Sequence, residues 1–375
     1  MTHLSRRSVT LGLLATGTAG LSACAPQPKL LSAPFSGTPV TRKVMAVTNR
    51  TVSPDTLQQF QDGRASELSY LSYDISIPSN RTLGSFSFPK RSLDPEREFY
   101  VARTDKFEGP QPFISHLNSE LRGSTDPDGN LLVFVHGYNV SYAASVFRAA
   151  QIATDFELDM PVVLFGWPSS ARISGYAYDR DSVLFARADL ANTLATLARS
   201  QARKITILAH SMGGFLAMEA LKRLTLEQDT RTLSRIDGVV LAQPDIDTDV
   251  FRAQMADVDL DRQFVAVMAS GRDRALKLST VLTGGHPRVG TTENIEDIRR
   301  AGAAVIDVSD VSSRDFLNHD TYASSPALIK MVRSGALMNR VIEGEPGQDL
   351  LILGANLTGK AALAIAHLPY TVTGN

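Results

Sequence analysis

The sequence predicts an α/β fold: a mostly parallel central sheet flanked by helices, with antiparallel strands at its N-terminal edge. From residue 131 onward, short apolar runs alternate with segments whose apolar residues recur at helical spacing. Before residue 131, short or alternating apolar runs follow one another directly. Alternating strands and helices are typical of a parallel sheet, whereas strands that follow one another directly pair in antiparallel fashion.

The N-terminal strands come first along the chain. Residues 43–48 form a short apolar run, and residues 98–102 form another candidate strand. Residues 68–77 alternate between two faces and end at Pro78, which cannot donate a ladder hydrogen bond. We expect these segments to lie side by side at one edge of the sheet.

The central strands are predicted from apolar runs that suit burial on both faces of a sheet. They are residues 131–135, 162–165, 205–209, 238–242, 264–268 and 303–308. The predicted helices between them include residues 141–156, 182–201 and 213–224. A chain of 375 residues can bury a large core, and no domain boundary is indicated after residue 42. We therefore predict one domain over residues 43–375.

Composition excludes several classes of function. Lys and Arg number 38 and Asp and Glu 39, with no basic stripe, so nucleic acid is not an expected partner. The single cysteine excludes a disulfide within the chain. There is no His-Glu-x-x-His motif, and Val250 stands where a calcium loop after Asp245 would need glycine. We predict neither a metal site nor a cofactor.

The N-terminus has the pattern of an export signal. A basic start containing Ser5-Arg6-Arg7 resembles a twin-arginine signal, and a short apolar segment follows it. Leu21-Ser22-Ala23-Cys24 resembles a bacterial lipobox, in which the cysteine becomes the lipidated first residue. We predict a lipoprotein-type signal over residues 1–23 and lipidation of Cys24. The alternative is a cleaved signal followed by an incidental cysteine.

A Pro- and Ser-rich segment over residues 24–42 is predicted to be a tether between that cysteine and the domain. The protein is then expected in the bacterial cell envelope, held to a membrane through Cys24 and facing the periplasm or the outer membrane. Its location says nothing by itself about its chemistry.

A candidate nucleophile, Ser211, lies between a buried strand and a helix. The local sequence Ala209-His210-Ser211-Met212-Gly213 differs from the G-x-S-x-G pattern at Ala209, which is nearly as small as glycine. A sharp strand–turn–helix pushes such a serine out at the carboxyl end of the sheet. The alternative is that Ser211 serves only as a helix N-cap.

A serine nucleophile needs a base and a carboxylate that orients the base. Loops after parallel strands converge on one edge of the sheet, so candidates should directly follow strands. Asp273 follows residues 264–268, and His319 follows the last strand. Asp245 is the alternative acid, and His286 is a weaker candidate for the base.

The oxyanion formed during acyl transfer needs backbone N–H donors. The first should come from Met212, the residue after the nucleophile. The second should come from the loop after residues 131–135, where His136-Gly137 permits a tight turn, and Tyr138 is the predicted donor. His136 itself is expected to order this loop.

These motifs together carry a resemblance to a known family. The segments are Val47–Arg50, Ile75–Pro78, Phe134–Asn139, Phe165–Ser169, Ala209–Gly214, Leu241–Asp247 and Asn318–Asp320. They resemble the bacterial α/β-hydrolase family of unknown function 900, over residues 44–322. The resemblance implies the α/β-hydrolase fold and a serine-hydrolase site in which Ser211, Asp273 and His319 hold matching positions. Some members look like secreted esterases or lipoproteins.

The expected function is that of an envelope-anchored serine hydrolase, a carboxylesterase acting on a small-molecule or lipid ester through Ser211, His319 and Asp273. Two alternatives stay open. One is a non-catalytic lipoprotein that binds a partner on a hydrolase scaffold. The other is an acyltransferase with the same three residues.

Overall fold

The computed structural model describes residues 28–33, 40–89 and 92–333. The predicted signal and Cys24 lie outside the described residues. The strands are β1 (Val40–Val52), β2 (Phe60–Ile77), β3 (Tyr100–Phe107), β4 (Asn130–Val135), β5 (Val162–Gly166), β6 (Lys204–His210), β7 (Ile236–Ala242), β8 (Phe264–Ala269) and β9 (Ala304–Asp307).

The helices that connect these strands are mostly short. They are α1 (Pro110–Gly123), α2 (Tyr142–Asp155), α3 (Tyr176–Leu197), α4 (Met212–Leu226), α5 (Thr230–Leu233), α6 (Thr248–Met255), α7 (Arg274–Leu282), α8 (Ile295–Arg300), α9 (Thr321–Ser324) and α10 (Pro326–Arg333). Of the helices in the described ranges, none is both long and apolar enough to cross a lipid bilayer.

All the strands belong to one sheet with the order β3-β2-β1-β5-β4-β6-β7-β8-β9. In this spatial order, all neighbouring strands from β1 across to β9 are parallel. At the other edge, β2 pairs antiparallel with both β1 and β3. The predicted fold class, including the antiparallel edge, is confirmed. The prediction missed α1, which buries only the narrow stripe Phe113, Ile114 and Leu117. It also started α3 at residue 182, although the helix begins at Tyr176.

The sheet separates two apolar layers. In β4, Val133 and Val135 face a layer that includes α3 and α4, while Leu132 and Phe134 face a layer that includes α2 and α10. Successive side chains of a strand point to opposite faces, so a continuous apolar run is buried on both sides. This explains why β4 to β8 lack the polar face of an edge strand.

Part of the predicted tether is packed onto the domain. Leu30 is buried, and its N–H donates to Leu57 O at 2.8 Å. Ser32 bridges to Val101 in β3, and β1 already begins at Val40. Burial of Leu30 and backbone hydrogen bonds with Leu57, Pro89 and Val101 together oppose the cost of ordering residues 28–33. The folded part of the chain therefore begins earlier than the predicted residue 43.

The parallel strands bring the candidate residues to one edge of the sheet. Ala209 is level with Val135 on one side and Leu241 on the other, and Ala242 is level with Met268. The loops that follow β4, β6, β7 and β8 therefore leave the sheet together.

Candidate active site

Ser211 occupies a strained turn between β6 and α4. Its backbone has φ 54° and ψ −124°, a conformation that costs a non-glycine residue about 1–3 kcal/mol. The turn is held by the Ser211 N–H, which donates to Ala242 O at 3.0 Å, and by the Gly214 N–H, which donates to Ser211 O at 2.9 Å. The side chain makes no capping bond to α4. Ser211 therefore does not act as the N-cap that the alternative interpretation required.

Gly213 explains how closely the turn packs on its neighbour. A Cβ added there would lie 2.3 Å from His136 O and 2.6 Å from Val135 O. The start of α4 thus lies directly against the end of β4, where only glycine fits. Ala209, at the other end of the motif, is fully buried in β6 and fits without strain.

Asp273 and His319 are in direct contact. His319 Nδ1 lies 2.7 Å from Asp273 Oδ2, the geometry of a charge-assisted hydrogen bond. The same oxygen accepts from Gln243 Nε2 at 2.6 Å, and Oδ1 accepts from the Leu276 N–H at 2.8 Å. The hydrogen bond from the Leu276 N–H caps the start of α7. The buried carboxylate is therefore fixed from three directions.

The charge of Asp273 controls the protonation of His319. Burial by itself would lower the pKa of the imidazole, but the charge and hydrogen bond of Asp273 raise it, and the net effect is a pKa of about 9. Asp320 adds a smaller effect in the same direction. An imidazole so paired is a stronger base than a free histidine.

His210 connects the base to the serine turn. Its Nε2 lies 2.9 Å from His319 O, and the two rings lie 4.6 Å apart. Because His210 directly precedes Ser211, this contact holds the base beside the strained turn. Throughout the described ranges, no hydrogen bond uses the Ser211 hydroxyl, so it is not committed to another partner.

His210 is itself held neutral. Burial and the nearby charge of His319 lower the pKa of His210 to about 4, although Asp320 opposes the shift. Asp320 in turn accepts from Arg148 at 2.7 Å. The sequence by itself indicates no such role for His210, Arg148 or Gln243. The only signals available were that His210 neighbours Ser211 and that Gln243 directly follows β7.

Asp245, the alternative acid, is engaged elsewhere. Its Oδ1 accepts from Ser279 Oγ at 2.7 Å, and its Oδ2 accepts from Tyr176 OH at 3.0 Å. Arg288 Nε lies 3.4 Å from Oδ1. In the described part of the chain, no hydrogen bond joins Asp245 to His319. The carboxylate in contact with His319 is that of Asp273.

The loop after β4 lies against the serine turn. A Cβ on Gly137 would meet His210 Nδ1 at 2.7 Å and Ser211 Cβ at 2.9 Å. The N–H groups of Asn139 and Val140 are already bound, to Asp179 Oδ2 and Ser169 Oγ. Among the described residues, the Tyr138 N–H has no such acceptor.

The Met212 N–H is the other expected donor. Met212 is the first residue of α4, so its N–H has no acceptor in its own helix. It directly follows the strained serine, and the helix N-terminus favours negative charge. Both predicted donors therefore adjoin the Ser211 turn with uncommitted N–H groups.

Arg50, which lies in β1, fixes the same loop from behind. Its guanidinium is buried and donates to Val140 O at 2.9 Å and to Ser169 O at 3.0 Å. It thereby ties the loop after β4 to the loop after β5. The sequence placed Arg50 within a family-like segment, but nothing in the sequence marks an arginine as buried.

His136 packs in the loop as predicted for an ordering residue. Its ring stacks on Trp167 with centroids 5.0 Å apart, and Trp167 Nε1 donates to His136 O at 2.7 Å. Burial and the neighbouring charge of Arg50 lower the pKa of His136 to about 3. His136 is neutral at physiological pH.

For the acyl-transfer reaction that the sequence predicts at this site, Gly137→Ala is expected to lower kcat on the order of 100-fold, the cost of disturbing one oxyanion donor. The added methyl group would collide with His210 and Ser211 and push the Tyr138 amide away from the turn. Steady-state kinetics and thermal unfolding are to be measured together. Gly123→Ala is the matched control, since a Cβ there meets nothing within 4 Å. Wild-type kcat in Gly137→Ala would exclude this loop from oxyanion binding.

The arrangement suits acyl transfer. A serine on a strained turn, a buried imidazole–carboxylate pair and two uncommitted N–H groups can activate a hydroxyl and stabilise a tetrahedral oxyanion. In the ranges that the structure describes, no group of three or more His, Cys, Asp or Glu side chains is placed to hold a metal ion.

Comparison with known proteins gives one match to a family and several distant structural similarities. The family model described as "Alpha/beta hydrolase of unknown function (DUF900)" matches residues 113–335. No curated protein matches the chain.

Three solved structures illustrate the structural similarities. Lipase B of Aspergillus fumigatus is 12% identical, with 55% of this chain and 52% of the lipase covered and a TM-score of 0.37. The chain thus spans about half the length of that lipase. LpqC, a poly(3-hydroxybutyrate) depolymerase from Bordetella parapertussis, is 13% identical over 78% of this chain and 89% of its own, with a TM-score of 0.36. A Rhizomucor miehei esterase is 10% identical over 81% and 83%, with a TM-score of 0.35.

Proposed function

The chain belongs to the α/β-hydrolase family of unknown function DUF900, and on that premise we propose that it is a serine hydrolase that cleaves carboxylic esters. The observation that carries the proposal is the 2.7 Å contact between His319 and Asp273 beside the strained Ser211 turn. A scaffold used only for binding has no need of a strained serine turn beside a buried imidazole–carboxylate pair. The reaction requires no cofactor.

In the proposed mechanism, Ser211 Oγ attacks the acyl carbonyl while His319 Nε2 takes its proton. Asp273 holds the Nδ1–H and stabilises the imidazolium that forms. The Met212 and Tyr138 N–H groups stabilise the oxyanion. The tetrahedral intermediate collapses, and His319 returns the proton to the leaving alcohol. Water, activated by His319, then releases the acid from the acyl-enzyme by the same steps.

The proposal is tested with a fluorophosphonate probe, which reacts with an activated serine. We expect the wild-type protein to be labelled, and peptide mass spectrometry to place the label on Ser211. A panel of p-nitrophenyl esters of increasing chain length would then define the preferred acyl group. Folded protein that neither reacts with the probe nor cleaves any ester would favour the non-catalytic alternative.

The pH dependence follows from the raised pKa of His319. Protonated His319 cannot accept the Ser211 proton. We therefore expect kcat/KM to rise with pH and to level off above the pKa of His319 in the free enzyme, which is about 9. The measurement is initial rates between pH 6 and about pH 10, corrected for spontaneous hydrolysis. A profile that falls across this range would exclude His319 as the general base.

We further propose that the enzyme is anchored to the cell envelope through Cys24. The support is the lipobox-like sequence Leu21–Cys24 and the fact that Cys24 is the sole cysteine of the chain. Cys24→Ala should move the protein from the membrane to the soluble fraction after cell lysis. Ser211→Ala, which leaves the signal intact, is the control and should stay with the membrane. Unchanged membrane association of Cys24→Ala would contradict the anchor.

A further inference from the structure

We propose that Arg288 and Arg180 form an anion-binding subsite beside the serine turn, which selects esters that also carry a carboxylate or phosphate group. The inference rests on the proposed function, and it names the substrate class. Neither arginine was a candidate in the sequence.

Arg288 is a buried arginine whose donors are not used. Its side chain is 2% exposed, and its ion pair in the described part of the chain is Nε to Asp245 Oδ1 at 3.4 Å. No hydrogen bond of the Arg288 side chain occurs within the described ranges. Of its three guanidinium nitrogens, only Nε is sealed from solvent without an acceptor. The two terminal nitrogens remain available to a bound group.

The terminal nitrogens of the guanidinium distinguish Arg288 from Arg50. Arg50 is equally buried, but its terminal nitrogens donate to backbone carbonyls, including those of Val140 and Ser169. Removing a guanidinium from water is costly unless its N–H groups find acceptors. The terminal nitrogens of Arg50 satisfy this requirement through the loops they fix, although its Nε, like that of Arg288, is buried without an acceptor. Arg288 would satisfy it with a planar anion, which the guanidinium binds in two parallel hydrogen bonds.

Arg288 lies against the segment after β7, which leaves the sheet at the same edge as the Ser211 turn. The segment that follows it pairs with the segment after β7, through the Val289 N–H to Ile246 O and the Gly290 N–H to Pro244 O, each 2.9 Å. Arg288 contacts Asp245, and Asp245 accepts from Tyr176 OH at 3.0 Å.

Tyr176 completes the path to the oxyanion loop. Its ring packs edge-on against Tyr138 with centroids 5.5 Å apart. A series of direct contacts therefore runs from Arg288 through Asp245 and Tyr176 to the residue that is expected to donate to the oxyanion. An anion on Arg288 would therefore lie at the edge of the sheet that also carries the Ser211 turn.

Arg180 supplies a second positive charge on the same side. Its guanidinium lies 5.1 Å from the centre of the Phe215 ring in α4. Both arginines influence the Tyr176 hydroxyl: burial and Asp245 raise the pKa of Tyr176, whereas the hydrogen bond with Ser279 and the proximity of Arg288 and Arg180 oppose the rise. No ion pair of Arg180 is found within the described residues.

The charge balance of this cluster favours an anion. Asp245 is the carboxylate in contact with Arg288, and its two oxygens are already bound by Ser279 and Tyr176. Two arginines against one carboxylate leave an excess positive charge. A substrate carboxylate or phosphate would compensate it.

The test compares two esters that differ by one terminal carboxylate, p-nitrophenyl butyrate and the p-nitrophenyl monoester of glutarate. We expect the wild type to favour the anionic ester in kcat/KM. Arg288→Met should lower the ratio of anionic to neutral kcat/KM about 10- to 100-fold, the usual loss of a charged hydrogen bond. Arg288→Lys keeps the positive charge but not the two parallel N–H donors of the guanidinium, so it should lower this ratio by less. Arg180→Met is a second variant that should lower the same ratio.

Arg300→Met is the control, because Arg300 is an exposed residue of α8 that pairs with Asp297. In this variant the ratio of anionic to neutral kcat/KM should match that of the wild type. Glutarate and inorganic phosphate are then tested as inhibitors of p-nitrophenyl butyrate hydrolysis, which shows whether the subsite recognises a carboxylate or a phosphate. Inhibition by the recognised anion should be weaker in Arg288→Met than in the wild type. Ser211-dependent hydrolysis without anionic preference would overturn the subsite alone. Loss of Ser211-dependent hydrolysis altogether would overturn the proposed function. Thermal unfolding confirms that each variant is folded.

Discussion

Ser211→Ala is expected to lower kcat for ester hydrolysis on the order of 10⁵- to 10⁶-fold, because it removes the atom that forms the acyl-enzyme. The change keeps the Cβ, so the backbone strain at φ 54° is the same in both proteins. The residual rate should come from the oxyanion donors and substrate binding alone. The measurement is single-turnover and steady-state hydrolysis of a p-nitrophenyl ester.

Ser234→Ala is the matched control for this experiment. Ser234 is exposed, and its hydroxyl donates only to Arg231 O at 2.8 Å at the end of α5. It should retain wild-type kcat and thermal stability. If Ser211→Ala kept more than about a hundredth of wild-type kcat, another residue would have to be the nucleophile.

Asp273→Asn is expected to lower kcat about 10⁴-fold, because an amide in that place no longer fixes the tautomer of His319 or stabilises its positive charge. Removal of the carboxylate charge also removes the main influence that raises the pKa of His319. The inflection in the pH profile of kcat/KM should therefore move to lower pH. Both quantities come from the same set of initial rates.

Asp245→Asn is the matched variant, since both carboxylates are buried and both follow a strand of the sheet. Its contacts are Tyr176, Ser279 and Arg288, and not His319. It should lose less kcat than Asp273→Asn and shift the inflection to lower pH by less, because the charge of Asp245 raises the pKa of His319 less than that of Asp273 does. The reverse order of effects would make Asp245 the orienting acid.

The strands and the site loops were predictable because their signals are local. A run such as residues 131–135 is apolar throughout, and only a strand covered on both faces suits it. The Ser211 turn was predictable because the strand, the turn and the helix are formed by consecutive residues. Chain order then pointed to Asp273 and His319, since parallel strands end at one edge.

The supporting contacts were not predictable because they join distant parts of the chain. Gln243 reaches Asp273 across 30 positions, and Arg148 reaches Asp320 across 172. Whether a polar residue is buried depends on such tertiary neighbours and not on its own flanking sequence. For the same reason the sequence leaves Asp245 open as an acid, since its contacts with Tyr176, Ser279 and Arg288 also join distant parts of the chain.

The docking of residues 28–33 limits how far the enzyme can stand from an anchor. The Lys29 N–H donates to Pro89 O at 3.0 Å, so the chain is attached to the domain five positions after Cys24. Five fully extended residues reach at most about 18 Å. With a lipid on Cys24, the enzyme would be confined to a thin layer over one leaflet. Esters residing in that leaflet would meet it at a high effective concentration, whereas freely diffusing esters would gain nothing from the anchor.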